Sequence, residues 1–212
     1  MLVFAITMLL LKAQVWDMWS VPKKRFLKLR RLSACCLLAL LCLLANGMAS
    51  AARSETHAYL LRGIFNVSVG LDVLASKLAK RGIAASVYGP LDENSVVDVA
   101  IQDYRSGKAR SIVLIGHSLG AGAAVSVASR LAEAGVPVAL LVLLDPKGSF
   151  RVPRNVSRAV NFYIPQTGAA VAAASGFRGS LTNINVGGVP GMDHMTIQSL
   201  DAMHQRIIGY VR

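Results

Sequence analysis

Attack on a carbonyl by a serine needs a hydroxyl lifted clear of its own backbone and a base within reach of its proton. Residues 111–120 of this sequence, Ser-Ile-Val-Leu-Ile-Gly-His-Ser-Leu-Gly, are built for the first requirement. The apolar run at 112–115 reads as a buried strand, and the alanine-rich stretch at 121–133 reads as a helix. Between them stands G-H-S-L-G, in which Gly116 and Gly120 leave room for a cramped strand-to-helix turn that raises Ser118 above a sheet edge. Ser118 is therefore the candidate nucleophile. A glycine-rich turn with a serine helix cap is the plainer reading of the same residues.

The base must come from four histidines. His57 falls at the expected frayed start of the folded part, and His117 is locked inside the turn with its side chain directed away from that of Ser118. His204 lies in the last predicted helix, on its surface or in the core. His194 follows the last predicted strand, and in a parallel sheet that loop emerges at the same edge as Ser118. His194 is thus the candidate base. Asp145, at the end of the strand after Ser118, is the candidate acid; its alternative use is as a turn or cap aspartate before Pro146. Asp193 is a rival acid, although adjacent residues on an extended loop point apart. An oxyanion needs donors as well. The Leu119 amide, in the first turn of the helix, is one, and the loop after the first strand offers Ile64, with Phe65 next, as the second.

These residues require elements to hold them. Strands are expected at 58–61, 83–88, 112–115, 138–144, 159–164 and 181–186, and helices at 69–81, 94–105, 121–133 and 199–210. Strand and helix alternate through the first half, and 138–144 is apolar at every position. The fold class is therefore α/β, a three-layer sandwich with a mostly parallel sheet of about six strands and helices on both faces. Residues 147–158 read as a polar loop, and 168–176 as a flap or short helix of no legible role.

From residue 59 to about residue 208 the chain resembles a minimal α/β-hydrolase of the lipase, cutinase and thioesterase-like kind, on the strength of G-H-S-L-G and the order Ser118, Asp145, His194. Arg62-Gly63 stands where lipases carry a His-Gly pair. The acid follows the sixth family strand, as in pancreatic-type lipases. The family's two initial antiparallel strands and any long cap insertion are missing from the pattern, which implies an open, shallow site. The resemblance implies an acyl-serine hydrolase of carboxylic esters or thioesters that needs no cofactor and no metal. Two alternatives stand beside it: a catalytically silent binding protein on the same scaffold, and an acyltransferase using the same triad.

Composition bounds the setting. The 212 residues suit one domain with a substantial core, and the mean hydropathy of +0.50 owes much to the N-terminus. There a basic block at 23–31 precedes an uncharged apolar run at 34–45 and the small residues Ala49-Ser50-Ala51, the pattern of an export signal. This divides the chain into a leader, 1–51, and a hydrolase-like domain, 52–212. Residues 1–17 read as an upstream extension, with Met18 a second candidate start. An uncleaved membrane anchor is the alternative, and would bring association with a membrane surface. The expected location is the periplasm or the exterior. Cys35, Cys36 and Cys42 all fall in the leader, so the domain has no cysteine chemistry. Removing the leader lowers the net charge from +12 to +6, from 16 Lys and Arg against 10 Asp and Glu, scattered singly. No basic stripe interleaved with aromatics is present, so a nucleic-acid partner is not expected. The expected partner is a small-molecule or lipid ester.

Overall fold

The computed structural model describes residues 56–211. The readings of residues 1–51 as leader, anchor or extension fall outside them. The described chain runs β1 (Thr56–Leu61), a 3-10 turn (Ile64–Asn66), α1 (Gly70–Ala79), β2 (Ala84–Tyr88), α2 (Glu93–Arg105), β3 (Ser111–His117), α3 (Leu119–Glu133) and β4 (Val138–Leu144). It continues through β5 (Arg151–Val152), β6 (Val156–Tyr163), β7 (Ala172–Ala173), β8 (Ser180–Asn185) and α4 (Asp201–Val211).

Six strands form one sheet in the order β2-β1-β3-β4-β6-β8, and every pairing in it is parallel. Side-chain alternation divides each central strand between two helical layers. Leu61, Leu114, Leu141 and Leu143 face α2 and α3, where they meet Val96, Ala124, Val127 and Leu131. Leu60, Val113, Val142 and Phe162 face the other layer, where Leu71, Leu74 and Leu78 of α1 and Met203, Ile207 and Ile208 of α4 cover them. The strand apolar at every position, β4, is accordingly the centre of the sandwich. This is the expected three-layer α/β architecture.

From β1 the chain passes through α1 to β2 on one side, then returns through α2 to β3 on the other side of β1. Strand order therefore reverses between β1 and β3, and the crevice at the carboxyl ends of such a pair is where α/β sheets hold ligands.

Three local expectations are corrected. His57 is not at a frayed end: it lies within β1 and is 7 % exposed, because a polar network described below receives it. The polar loop at 147–158 contains β5 and the first residues of β6. The segment at 168–176 is neither helix nor free flap. Asn161 Nδ2 donates to the Ala169 carbonyl (2.9 Å), Asn183 exchanges bonds with both backbone groups of Val171 (2.9 and 3.0 Å), and β7 pairs in parallel with β5. Two asparagines on the sheet thus fasten a stretch whose own alanines give no directional signal.

Candidate active site

The turn after β3 sets the geometry. Ser118 has φ 57° and ψ −118°, a strained conformation for a residue with a Cβ, which the surrounding packing enforces. A Cβ on Gly116 would lie 2.1 Å from the Gly120 carbonyl oxygen, and one on Gly120 would lie 2.3 Å from the carbonyl oxygens of Leu61 and Arg62. Both elbow glycines are therefore sterically required, the first by the turn itself and the second by the end of β1. Ser118 follows a buried strand and precedes a 15-residue helix whose N-terminal amides carry partial positive charge.

The carboxyl edge of the sheet brings Ser118, His194 and Asp145 together. His194 Nε2 lies 3.0 Å from Ser118 Oγ, and His194 Nδ1 lies 2.6 Å from Asp145 Oδ2. Because the carboxylate accepts from Nδ1–H, Nε2 is left free to accept the serine proton. Asp145 is fully buried, and a buried carboxylate needs donors. It has three: the Ile164 amide to Oδ1 (2.8 Å), Thr167 Oγ1 to Oδ2 (2.5 Å) and His194 Nδ1. Its own φ is 48°, and its amide donates to the Phe162 carbonyl at 2.7 Å. The turn-aspartate alternative is thus met only in part: the backbone turns there, but the carboxylate is aimed at His194. The rival acid Asp193 is exposed and bound to its own loop, with Oδ1 accepting the Met195 and Thr196 amides at 2.7 and 2.8 Å. Those amide bonds hold its carboxyl below the usual range.

Of the two amides expected to face an oxyanion, that of Leu119 directly follows the serine and opens α3, and that of Ile64 lies in the loop after β1. Neither the Leu119 nor the Ile64 amide has a hydrogen-bond acceptor among the described residues, whereas the Gly63 amide is engaged by Ser68 Oγ at 2.8 Å. A Cβ on Gly63 would stand 3.4 Å from Ser118 Cβ, so the loop after β1 is packed against the serine. Phe65 and Asn66 in that loop have φ of 54° and 58°, and Phe65 is 85 % exposed.

Sequence reasoning passed over four contributors. His117, which the motif marks only as part of the turn, is buried, bonded to Ser68 Oγ at 2.7 Å and to the His194 carbonyl at 2.8 Å, and burial pushes its pKa down to about 4 despite that second bond. Ser68, Thr167 and Gly168 carry no motif. Only the fold makes them neighbours of the site.

A second Ser–His–Asp alignment lies away from that edge. His57 Nε2 is 2.9 Å from Ser86 Oγ, and His57 Nδ1 is 3.1 Å from Asp103 Oδ2, which also accepts from Tyr59 Oη at 2.8 Å. Burial lowers the His57 pKa against the pull of Asp103 and raises that of Tyr59. Ser86 differs from Ser118 in the decisive respect. It sits inside the regular edge strand β2, without positive φ and without a helix N-terminus behind it, so no pair of amides converges on it. This is a satisfied polar core network.

No family model matches the sequence, and no curated protein matches it. Solved structures with similar folds include the lin2722 gene product of Listeria innocua, at 10 % identity and TM-score 0.50, covering 74 % of this chain and 94 % of that one. They also include the type II thioesterase BorB from the borrelidin biosynthetic cluster, at 13 % identity and TM-score 0.48, covering 76 % and 94 %. A candidate hydrolase of the α/β superfamily from Xanthomonas campestris, at 17 % identity and TM-score 0.41, covers 74 % and 96 %. An elbow at the reversal of strand order, followed in the chain by Asp145 and His194 at one sheet edge, on a parallel six-stranded sheet covered by helices on both faces, identifies the architecture. This is the α/β-hydrolase fold. As an α/β-hydrolase-fold chain it lacks, among the described residues, both an antiparallel strand pair and a cap inserted between its sheet strands.

Proposed function

We propose that the protein is a serine hydrolase that cleaves carboxylic esters through an acyl-Ser118 intermediate. One observation carries the reading: a serine on a strained elbow, hydrogen-bonded at 3.0 Å to a histidine whose other nitrogen meets a buried carboxylate. Ser118 Oγ forms a bond to the acyl carbon while His194 Nε2 takes the hydroxyl proton. Asp145 holds the imidazole tautomer and balances the imidazolium. The carbonyl oxygen takes the electron pair and faces the Leu119 and Ile64 amides, an interaction of about 3 kcal/mol per donor in comparable sites. Collapse expels the alcohol, which receives the proton from His194. Water then repeats the sequence to release the acid, with His194 again as base.

Seven of the exposed large apolar side chains, Ile64, Phe65, Val67, Val69, Leu91, Val189 and Met195, lie on connections that follow strands of the sheet, and an eighth, Leu119, opens α3 beside the serine. An apolar border favours substrates with apolar acyl chains over acetates. Thioesters fit the same chemistry, and BorB, one of the structures of similar fold, is a thioesterase. The reading of residues 1–51 as an export leader favours a reaction outside the cytoplasm, where esters and lipids are more available than coenzyme A thioesters; N-terminal sequencing of the protein from its host tests that reading.

The test is hydrolysis of p-nitrophenyl esters from acetate to palmitate by the full chain, alongside labelling by a fluorophosphonate. Turnover and labelling that both vanish in Ser118→Ala support the proposal, and an optimum beyond butyrate supports the apolar preference. A folded protein that neither turns over an ester nor takes the label would be the silent binding scaffold instead.

A further inference from the structure

The triad accounts for one nitrogen-to-oxygen chain at the site, but a second chain runs behind it. The Gly63 amide donates to Ser68 Oγ at 2.8 Å, Ser68 Oγ meets His117 Nδ1 at 2.7 Å, and His117 Nε2 meets the His194 carbonyl at 2.8 Å. Proton directions are fixed by chemistry. A carbonyl only accepts, so Nε2 carries the proton of a neutral ring; Nδ1 is then an acceptor, and the Ser68 hydroxyl donates to it while accepting from Gly63. Every group in the chain is satisfied in one tautomer only.

We propose that His117 and Ser68 are positioning residues that lock the loop bearing the oxyanion amide to the loop bearing the base, so that the two halves of the machinery are set by one relay. This rests on the hydrolase reading for its catalytic consequence. The loops need such a tie. Residues 64–67 are exposed and include two residues at positive φ; beyond the Arg62 amide bond to the Tyr88 carbonyl and the loop's own turn bonds from Asn66 to Gly63 and Val67 to Ile64, the Gly63 bond and the Arg62–Asp72 ion pair fasten that loop. On the other side, the triad bonds hold the His194 side chain, whereas His117 holds its backbone. His117 is covalently next to Ser118, and the two imidazole centroids are 5.0 Å apart, so the relay references both loops to the nucleophile itself. His117 is buried, Ser68 is fully buried, and a Cβ on Gly63 would come within 3.2 Å of His117 Nδ1. Gly63, Ser68 and His117 are therefore packed directly against one another.

Three variants separate the links. Asn in place of His117 retains a polar group near Ser68 but is too short to reach the His194 carbonyl. Gln extends to the Nε2 position. Ser68→Ala removes the Gly63 acceptor and the donor to His117 together. Expected for His117→Asn is a fall in kcat of about tenfold to a hundredfold with little change in KM, the effect of misplacing a base by a fraction of an ångström to an ångström. His117→Gln should recover most of that loss. Ser68→Ala should lower kcat similarly, and combining it with His117→Asn should add little, since both cut one chain. A readout independent of turnover is the low-field proton NMR resonance of His194 Nδ1–H in its bond to Asp145, which should weaken or move upfield in His117→Asn and return in His117→Gln. A folded His117→Asn protein with the low-field resonance and kcat of the unaltered chain would overturn the proposal. If the unaltered chain hydrolyses no ester yet the resonance responds as stated, the relay stands and the hydrolase reading fails.

Discussion

Gly168 offers a sharp test of how the acid is held. Its φ is not in the left-handed region, so conformational freedom is not what keeps a glycine there. The reason is space: a Cβ would lie 2.2 Å from Asp145 Oδ1, 3.0 Å from its Cγ and 3.1 Å from the Pro146 carbonyl oxygen. Restoring ordinary contact requires a displacement of about 1 Å, because carbon and oxygen rest near 3.3 Å apart. The carboxylate cannot make that shift and keep both the Ile164 amide bond to Oδ1 and the 2.6 Å aim of Oδ2 at His194. A 1 Å error in a catalytic group costs about a hundredfold in rate, and complete loss of the acid about ten-thousandfold. Gly168→Ala should therefore reduce kcat by between about 10²-fold and 10⁴-fold, with Asp145→Asn as the lower reference. It should also cost roughly 1–3 kcal/mol of stability if the Ile164 amide is left unpaired. The assays are p-nitrophenyl butyrate turnover, the rate of fluorophosphonate labelling, and urea unfolding. A Gly168→Ala protein with unaltered rate and midpoint would refute the steric argument. The alternative in which the loop yields instead of Asp145 predicts lost stability with full activity.

Two further outcomes follow from the same structure. Fluorophosphonate should label Ser118 alone, read by peptide mass: Ser118→Ala should abolish labelling, and Ser86→Ala should leave it unchanged because Ser86 lacks an elbow; modification of Ser86 in any form would contradict this. Stability should fall on acidification below pH 6.5. Burial holds the folded His117 pKa at about 4, so between those values the unfolded chain binds the proton and the folded chain does not. The loss from this group is roughly 2 kcal/mol by pH 5 and approaches about 3 kcal/mol below pH 4. Burial depresses His57 and His204 in the same direction. The Asp103 carboxyl, which burial would raise but bonds from Lys108 and Tyr59 hold below its ordinary value, adds a loss at lower pH still. Urea midpoints at pH 7.5 and pH 5 measure the difference, and equal midpoints would show that these rings are not held neutral.

The residues whose role is set by near neighbours in the chain were legible from sequence. Gly116, Ser118 and Gly120 announce an elbow because a strand-to-helix turn imposes its sterics within five residues. The apolar run of β4 announces the centre of a sandwich, since a strand buried on both faces must be apolar at every position. His194 and Asp145 were reached one step further out, because parallel topology delivers every strand end to the same edge. Topology alone leaves both residues candidates; the 3.0 and 2.6 Å bonds exist only in the tertiary structure.

Roles fixed by distant convergence were not legible. His57 read as a frayed end because Asp103 and Ser86, which pair with it, are 46 and 29 residues away. His117 reads only as a histidine locked inside the turn, although its ring joins residues 49 and 77 positions distant. Residues 168–176 read as low complexity, since nothing in a row of alanines shows that Asn161 and Asn183 fasten them or that Gly168 borders a buried carboxylate. By itself the sequence determined the elbow, the layers and the edge at which the chemistry converges, because strand periodicity and turn sterics are local. Only the tertiary structure decided which atoms meet there, because packing sets those distances between residues that the chain keeps far apart.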